Sequence, residues 1–278
     1  MKLLQARDLA NSIEQRVRKE ILTRKRAPGL AFIRIGDDSS SKVYIAIKKK
    51  KCAEVGILSF DKELPASLSE QEVLRHIEGL NEDPRIDGIL LQLPIPSHLS
   101  TMRILQHIDP KKDVDGFHPY NMGKLLLGDL SGPLPCTPKG IHLLLQSVGI
   151  SIPGKHVVIV GRSNIVGKPL AALLMQKDPS CNATVTLIHT SSCNIQKHCQ
   201  EADILIAALG NPGYIKKDMV QKGAVVIDVG INREGSSLVG DVDFANVAPL
   251  TSYITPVPGG VGPMTVACLL SNTVDLSQ

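Results

Sequence analysis

One stretch constrains the fold more than any other. Lys155–Gly161 reads KHVVIVG and runs without a break into RSNIVGKPLAALL. A short apolar run dominated by Val and Ile reads as a strand buried on both faces. The glycine that closes it, followed by a second helix-compatible apolar stretch, makes a strand–turn–helix unit. Three further apolar runs follow: ATVTLIH at 183–189, DILIAAL at 203–209 and AVVIDVG at 224–230. Helix-compatible sequence lies between them, which is the rhythm of a doubly wound parallel sheet of the dinucleotide-binding kind. Aromatic residues make up only 3% of the 278 residues and Trp is absent, against 43% apolar content, so the cores are built from aliphatic side chains. Buried parallel strands under covering helices suit that composition.

The N-terminal half alternates in the same way. Asp8 is placed to cap a first helix carrying Leu9, Ile13, Val17 and Ile21 at four-residue spacing. Pro28-Gly29 ends it, and LAFIRI at 30–35 reads as a strand closed by Gly36-Asp37-Asp38. A helix is expected from about Ser40 to Val55, stopped by Gly56. Ser69 with Glu72 has the spacing of a capping box before Val73, Leu74 and Ile77. DGILLQLP at 87–94 reads as a buried strand ended by its prolines. A Gly- and Pro-rich stretch at 132–138 precedes a helix near 140–149, and the domain boundary is placed there. A final helix is expected from about Pro263 to Val274, long enough to reach back onto the first domain.

The turn Gly161-Arg162-Ser163-Asn164-Ile165-Val166-Gly167 departs from the plain G-x-G-x-x-G pattern, because Ser163 stands at the second glycine. Glycines still allow a tight turn, and the following helix offers unpaired N–H groups to an anion. An ordinary strand-to-helix turn is the competing reading. The strand end at Ile188-His189-Thr190-Ser191-Ser192 carries no acid. A carboxylate there would hold a free ribose and repel a 2′-phosphate, whereas hydroxyls with Arg162 would accept one, so NADP is favoured over NAD. His189, Cys193, His198 and Cys199 fit no tight metal-ligand spacing, and no metal is expected.

Tyr44 and Lys48 lie four apart on the expected second helix and share a face, with Ser41 and Lys51 near it. A tyrosine can stack on a flat ligand, and a lysine can move a proton if burial or neighbouring positive charge, for which Lys51 is a candidate, depresses its pKa. The plainer reading is a surface lysine within the run Lys48-Lys49-Lys50-Lys51 and a half-buried tyrosine. Gln92 follows the apolar run GILL, where a polar amide faces a cleft at a strand's carboxyl end. Asp115 precedes Gly116 and could accept hydrogen bonds from a heterocycle, with Asp113 an equally plain candidate. The segment ITPVPGGVGPMT at 254–265 holds three prolines and three glycines, stiff yet open to close ligand approach.

A net charge of +4 is compatible with anionic small ligands and does not by itself indicate nucleic-acid binding. The lysine run lacks the aromatic platform that single strands stack on. Six cysteines without a paired framework read as reduced thiols of a cytoplasmic protein. No run is apolar and long enough to span a bilayer, and the N-terminus does not read as a signal peptide.

Taken in order, SKVYIAIKKKKCAEVGI, DGILLQLPIP, KDVDGFHPYNMGKLLLG, PCTPKGI, VVIVGRSNIVGKPLAALL, AVVIDVGIN, GDVDF and YITPVPGGVGPMTVA make the chain resemble the methylenetetrahydrofolate dehydrogenase/methenyltetrahydrofolate cyclohydrolase family over nearly its whole length. The resemblance implies an α/β protein of two α/β domains flanking a cleft, the C-terminal one a Rossmann-type NAD(P)-binding domain. The implied folate-binding catalytic domain is 1–136, completed by a C-terminal helix at 263–278, and the implied NADP-binding domain is 137–262. It implies NADP as cofactor, one-carbon derivatives of tetrahydrofolate as substrates, polyglutamylated forms among them, and a homodimer. By the same resemblance Lys48 is the catalytic lysine, Gln92 its partner, Tyr44 the stacking ring and Asp115 the pterin-binding acid. Pro258, Gly259, Gly260, Gly262 and Pro263 would complete the folate site. Thr137, Gly161, Arg162, Ser163, Ile165, Thr190, Gly210 and Ile231 would contact the cofactor. Thr190 stands where the family commonly has serine; it keeps the hydroxyl and adds a methyl group. One rival is a monofunctional NAD(P) dehydrogenase of the shikimate or amino-acid type, which would not need Tyr44, Lys48 and Gln92 together. The other is a non-enzymatic folate or nucleic-acid binder using the lysine run.

Overall fold

The computed structural model describes residues 1–235 and 237–277, and within them every side chain but that of Ser40. The chain opens with β1 (Lys2–Leu3) and α1 (Arg7–Leu22), then alternates β2 (Gly29–Ile35), α2 (Ser39–Val55), β3 (Leu58–Leu64), α3 (Glu70–Glu82) and β4 (Gly88–Leu91). Three helices follow, α4 (Thr101–His107), α5 (Pro119–Leu126) and α6 (Cys136–Ser147). A second alternation runs β5 (His156–Val160), α7 (Gly167–Leu174), β6 (Thr184–Ile188), α8 (Ile195–Gln200), β7 (Ile204–Ala207) and β8 (Val225–Asp228). A hairpin of β9 (Asn232–Glu234) and β10 (Ser237–Val239), then α9 (Phe244–Val247), β11 (Tyr253–Ile254) and α10 (Val261–Leu276) complete the chain. Gln278, the last residue of the expected C-terminal helix, lies outside the described residues.

The elements fall into two compact units. One comprises Asn11–Lys124, Asp129–Cys136 and Val266–Gln278; the other comprises Met1–Ala10, Leu125–Gly128 and Thr137–Thr265. The first ten residues, placed with the N-terminal half by sequence, therefore belong with the C-terminal sheet. Lys2 and Leu3 pair in parallel with Tyr253 and Ile254 of β11. A two-residue strand carries no periodicity by which it could be read.

In the N-terminal unit a parallel sheet has the order β3-β2-β4. The chain leaves β2 to one side for β3 and returns to its other side for β4, so the carboxyl ends of these strands form a switch point where a ligand crevice is expected. Every residue of β2 is buried, including Arg34, which pairs with Glu63 at 2.7 Å and Asp37 at 3.2 Å. Ala31, Ile33, Ile35, Ile89 and Leu91 from the sheet pack with Val73, Ile77 and Ile104 from the helices. The capping box of Ser69 and Glu72 is present as read. Asp8 instead sits inside the first turn of α1, where its charge still favours the helix dipole.

The C-terminal unit holds a six-stranded sheet of order β1-β11-β8-β7-β5-β6, with all pairings parallel. Val158, Val160, Leu205, Ala207 and Val226 point to one core layer, and Val157, Ile159, Ile204, Ile206 and Ile227 are buried between them. Burial on both faces is why these strands read as continuous apolar runs rather than alternating ones. The crossover from β5 to β6 on one side and β7 on the other puts the switch point at the carboxyl ends of β5 and β7.

Candidate active site

In the N-terminal unit α2 follows β2 out of the switch point and presents its lysines. Asp38 caps the helix, its carboxylate accepting from the Ser41 N–H at 2.7 Å. Two turns on, Lys48 Nζ donates to Gln92 Oε1 at 3.1 Å. Gln92 is the first residue beyond β4, and its Nε2 donates to the Leu93 carbonyl at 2.8 Å. That second bond orients the amide, so the oxygen and not the nitrogen faces the amine. The partly buried amine is thus held by a neutral acceptor.

The other lysines of the run have different partners. Lys49 pairs with Asp61, and Lys51 with Glu14 and Glu54, both at 2.9 Å. Lys51 was expected to lend positive charge to Lys48; instead its ammonium is matched by two carboxylates, whose hydrogen bonds raise its pKa. Ser41, expected on the same face, is buried and donates to the Leu93 carbonyl at 3.4 Å. Tyr44 is 38% exposed, so much of its ring is open to a ligand.

The two acids near Gly116, equal by sequence, part company here. Asp113 is buried and accepts from the N–H groups of Phe117 at 3.2 Å and His118 at 2.8 Å, and from Asn121 at 2.9 Å. It is a turn-forming carboxylate already saturated with donors. Asp115 keeps part of its surface exposed, while burial of its carboxyl raises its pKa from the ordinary value. The positive charge of Lys48 opposes that rise, which puts the two groups within electrostatic reach of each other. Lys48 and Gln92 thus form a hydrogen-bonded pair at the carboxyl end of β4, with Asp115 near enough to feel the amine's charge.

The C-terminal unit builds its own site around the β5–α7 turn. Gly161 has φ +123°, and a Cβ there would stand 2.0 Å from the Ala208 carbonyl oxygen, so glycine alone lets β5 and β7 close at the switch point. Ser163 Oγ accepts from Val166 N–H at 3.1 Å and Gly167 N–H at 3.4 Å, filling the place of the missing second glycine with a turn-closing hydroxyl. Arg162 and Ile165 are exposed on this turn. At the end of β6, His189 N–H donates to Ser192 Oγ at 3.0 Å and Ser191 N–H to His189 Nδ1 at 3.2 Å, leaving Thr190 exposed. Gly210 is exposed beyond β7, and Ile231 is 46% exposed beyond β8. Thr137 shares a hydrogen bond with Thr265 at 2.9 Å.

In the segment after β11 the Val257–Pro258 peptide is cis. Pro258 and Gly259 are exposed, and the Gly259 carbonyl accepts from the Ala6 N–H at 3.1 Å. Gly260 is buried, and Gly262 and Pro263 lie in the first turn of α10. The structure therefore groups these residues with the C-terminal unit. Among the described residues no group of three or more His, Cys, Asp or Glu is arranged to hold a metal ion, and no helix is long and apolar enough to cross a membrane.

In the C-terminal unit two buried acids, Asp228 and Asp241, are not singled out by the sequence. Asp228, at the end of β8, accepts from the N–H groups of Gly230, Asp241 and Val242. Asp241 is wholly buried and accepts from four donors. Both lie in segments that carry the family resemblance, AVVIDVGIN and GDVDF. An acid that ends an apolar strand run is the signal that could have found Asp228.

Comparison with known proteins gives a consistent result. Residues 4–115 match the family described as tetrahydrofolate dehydrogenase/cyclohydrolase, catalytic domain, and residues 135–278 match tetrahydrofolate dehydrogenase/cyclohydrolase, NAD(P)-binding domain. The chain is 54% identical to the bifunctional protein FolD of Chlamydia pneumoniae over 98% of its own length and 97% of the relative's. Among solved structures it is similar to the bifunctional FolD methylenetetrahydrofolate dehydrogenase/cyclohydrolase of Campylobacter jejuni, with TM-score 0.96, 43% identity, and 100% and 98% of the two chains covered. It is also similar to the Trypanosoma brucei N5,N10-methylenetetrahydrofolate dehydrogenase-cyclohydrolase complexed with NADP cofactor and inhibitor, with TM-score 0.92, 36% identity, and 99% and 96% covered.

Proposed function

Because this chain belongs to the tetrahydrofolate dehydrogenase/cyclohydrolase family, we propose that it oxidises 5,10-methylenetetrahydrofolate to 5,10-methenyltetrahydrofolate with NADP and then hydrolyses the methenyl form to 10-formyltetrahydrofolate. The observation that carries the catalytic assignment is the Lys48 Nζ to Gln92 Oε1 hydrogen bond, which ties the helix amine to the end of β4.

The residues of the C-terminal unit fit the cofactor. The switch point at Gly161 is bare of side chain, the β6 end carries hydroxyls and no carboxylate, and the exposed Arg162 guanidinium is placed on the same turn. Arg162 and Thr190 would hold the 2′-phosphate, and Gly161, Ser163, Ile165, Thr137, Gly210 and Ile231 would line the rest. NADP, when bound, supplies the hydride acceptor for the methylene carbon. That step asks for alignment rather than a base, since the positive charge left on carbon is shared by the two flanking nitrogens.

Hydrolysis needs proton transfer. Water adds to the methenyl carbon and gives up both its protons as the carbonyl forms: one goes to the nitrogen whose bond to carbon breaks, and the other is released, carrying off the positive charge of the methenyl cation. Lys48 is the group that moves these protons, held in place by Gln92. Tyr44 stacks on the pterin, and Asp115 accepts from its ring N–H and amino groups. Pro258, Gly259, Gly260, Gly262 and Pro263 form the loop that backs the folate. Substrates extend to polyglutamylated folates, the working form is a cytoplasmic homodimer, and the products feed one-carbon units to purine, histidine and methionine synthesis. No nucleic acid or membrane takes part.

A paired assay tests the assignment. Enzyme, methylenetetrahydrofolate and NADP are mixed, and NADPH and the methenyl chromophore are followed together. Wild type should make NADPH with little methenyl accumulation. Lys48→Met should abolish hydrolysis of added methenyltetrahydrofolate while still binding folate by direct titration. Full hydrolysis by that variant would overturn the role given to Lys48.

A further inference from the structure

We propose that Asp241 is a positioning residue of the cofactor site: it fills an anion nest made by the loop after β7 and so fixes the shape that loop presents to NADP. The inference rests on the reading above that Gly210 contacts the cofactor.

The loop leaves β7 at the switch point, and three successive N–H groups turn inward. Leu209 N–H and Gly210 N–H donate to Asp241 Oδ2 at 2.6 and 2.9 Å, and Asn211 N–H donates to Oδ1 at 2.9 Å. Asn232 Nδ2 adds a fourth bond to Oδ1 at 2.8 Å. Consecutive backbone N–H groups converging on one point make a concavity that binds anions, phosphates among them. Here the protein's own carboxylate occupies it. Asp241 is fully buried, while Gly210 and Asn211 are exposed, so the loop shows its outer surface and keeps its donors inside.

The carboxylate is itself anchored on both sides. The Asp241 N–H donates to Asp228 Oδ1 at 2.9 Å, and the Asp241 carbonyl accepts from Ile215 N–H at 2.9 Å. Its neighbours leave room for nothing else. A Cβ on Gly230 would stand 2.3 Å from Asp241 Oδ1, and one on Gly240 would stand 1.8 Å from Asp228 Oδ2. A carboxylate with charge-assisted bonds to three backbone donors is a rigid support. Without it those donors lose their partner, and a loop with three unpaired N–H groups does not keep one conformation. Misplacing a reacting group by about 1 Å through a distant mutation can cost on the order of 100-fold in rate.

The test compares Asp241→Ala and Asp241→Asn with wild type. Hydrolysis of added methenyltetrahydrofolate needs no cofactor and reports folding. Amide hydrogen exchange at 209–211 without NADP reports the loop, and NADP titration reports the site. For Asp241→Ala the expected result is fast exchange at 209–211, an NADP Kd raised roughly 10-fold or more, and hydrolysis near wild type. Sodium formate, but not sodium chloride, should recover part of the NADP affinity by refilling the nest. Asp241→Asn, which keeps the size but turns an NH2 toward N–H donors, should resemble Asp241→Ala without responding to formate. Unchanged NADP affinity in both variants would overturn the proposal while leaving the Gly210 contact standing, provided NADP slows exchange at 209–211 in wild type. If NADP leaves that exchange unaltered in wild type, the Gly210 reading fails and the proposal with it. Equal loss of hydrolysis and NADP binding in both variants would show a general support of the fold and would also overturn it.

Discussion

Asp228 shows how a single buried carboxylate couples this fold to pH. It is 2% exposed, and burial raises its pKa to about 6 even though three backbone N–H groups donate to it. A carboxyl whose folded pKa lies above its unfolded value stabilises the fold most while it is protonated. That contribution is fully present below the ordinary carboxylate value of 3.8 and is lost as pH rises through about 6. A shift of this size corresponds to roughly 3 kcal/mol. Asp228→Asn removes the titration, so the stability of wild type relative to the variant should fall as pH rises from about 4 to 6.5. Denaturant unfolding of both proteins across that range reads the difference, and a flat difference would show that Asp228 does not titrate there. At the same scale, Asp113 and Asp115 could not be told apart in KDVDGF. Only the turn that brings Phe117 and His118 N–H groups onto Asp113 leaves Asp115 as the acid within reach of Lys48.

At the scale of elements, the strand–turn–helix at 155–174 was legible because its apolar run, its glycine and its helix are contiguous in the chain; the Ala208 carbonyl that also demands glycine at 161 was not. The apolar run, the glycine and the helix that follows meet at one switch point, and Gly161 is the joint. Its φ of +123° and the Ala208 carbonyl 2.0 Å from a would-be Cβ make Gly161→Ala costly twice over, by about 1–3 kcal/mol for the backbone alone. The variant should melt lower and bind NADP more weakly, because relief of the clash has to part β5 from β7; wild-type melting and NADP affinity together would refute this account of the turn. The α2 face was legible in part. Tyr44, Lys48 and Ser41 follow from helical spacing. Of the two partners of Lys51, Glu54 three residues on follows from spacing too, but Glu14 does not, because it comes from α1, and which helices lie side by side is not encoded in either one's periodicity. Asp241 was hidden for the same reason: its partners at 209–211 and 232 are brought to it by the sheet.

At the scale of the whole molecule, chain order and unit membership are interleaved. The C-terminal half of α10 belongs with residues 11–124 and 129–136, and residues 1–10 belong with 137–265. Within its unit that half-helix is part of the core. Leu269, Leu270 and Val274 are buried, and Asn272 Nδ2 donates to the carbonyls of Val114 at 2.8 Å and Leu134 at 2.9 Å. Arg16 and Arg24 of the N-terminal region reach Ser271 and Ser277 at 3.2 and 2.9 Å. Burying three aliphatic side chains is worth roughly 5–9 kcal/mol, against a typical domain stability of about 5–15 kcal/mol. Two carbonyls stripped of their donor add to the loss. A chain ending at Thr265 should therefore lose the cooperative unfolding transition of its N-terminal unit, and cyclohydrolase activity with it. The other unit keeps residues 1–10 and 137–265 complete, so NADP binding should survive. Calorimetry and NADP titration of the truncated protein read the two units separately. Retained cyclohydrolase activity would mean that Asn272 and its apolar neighbours are dispensable to the ground on which Asp115 stands, since Val114, whose carbonyl Asn272 holds, is the residue immediately before it.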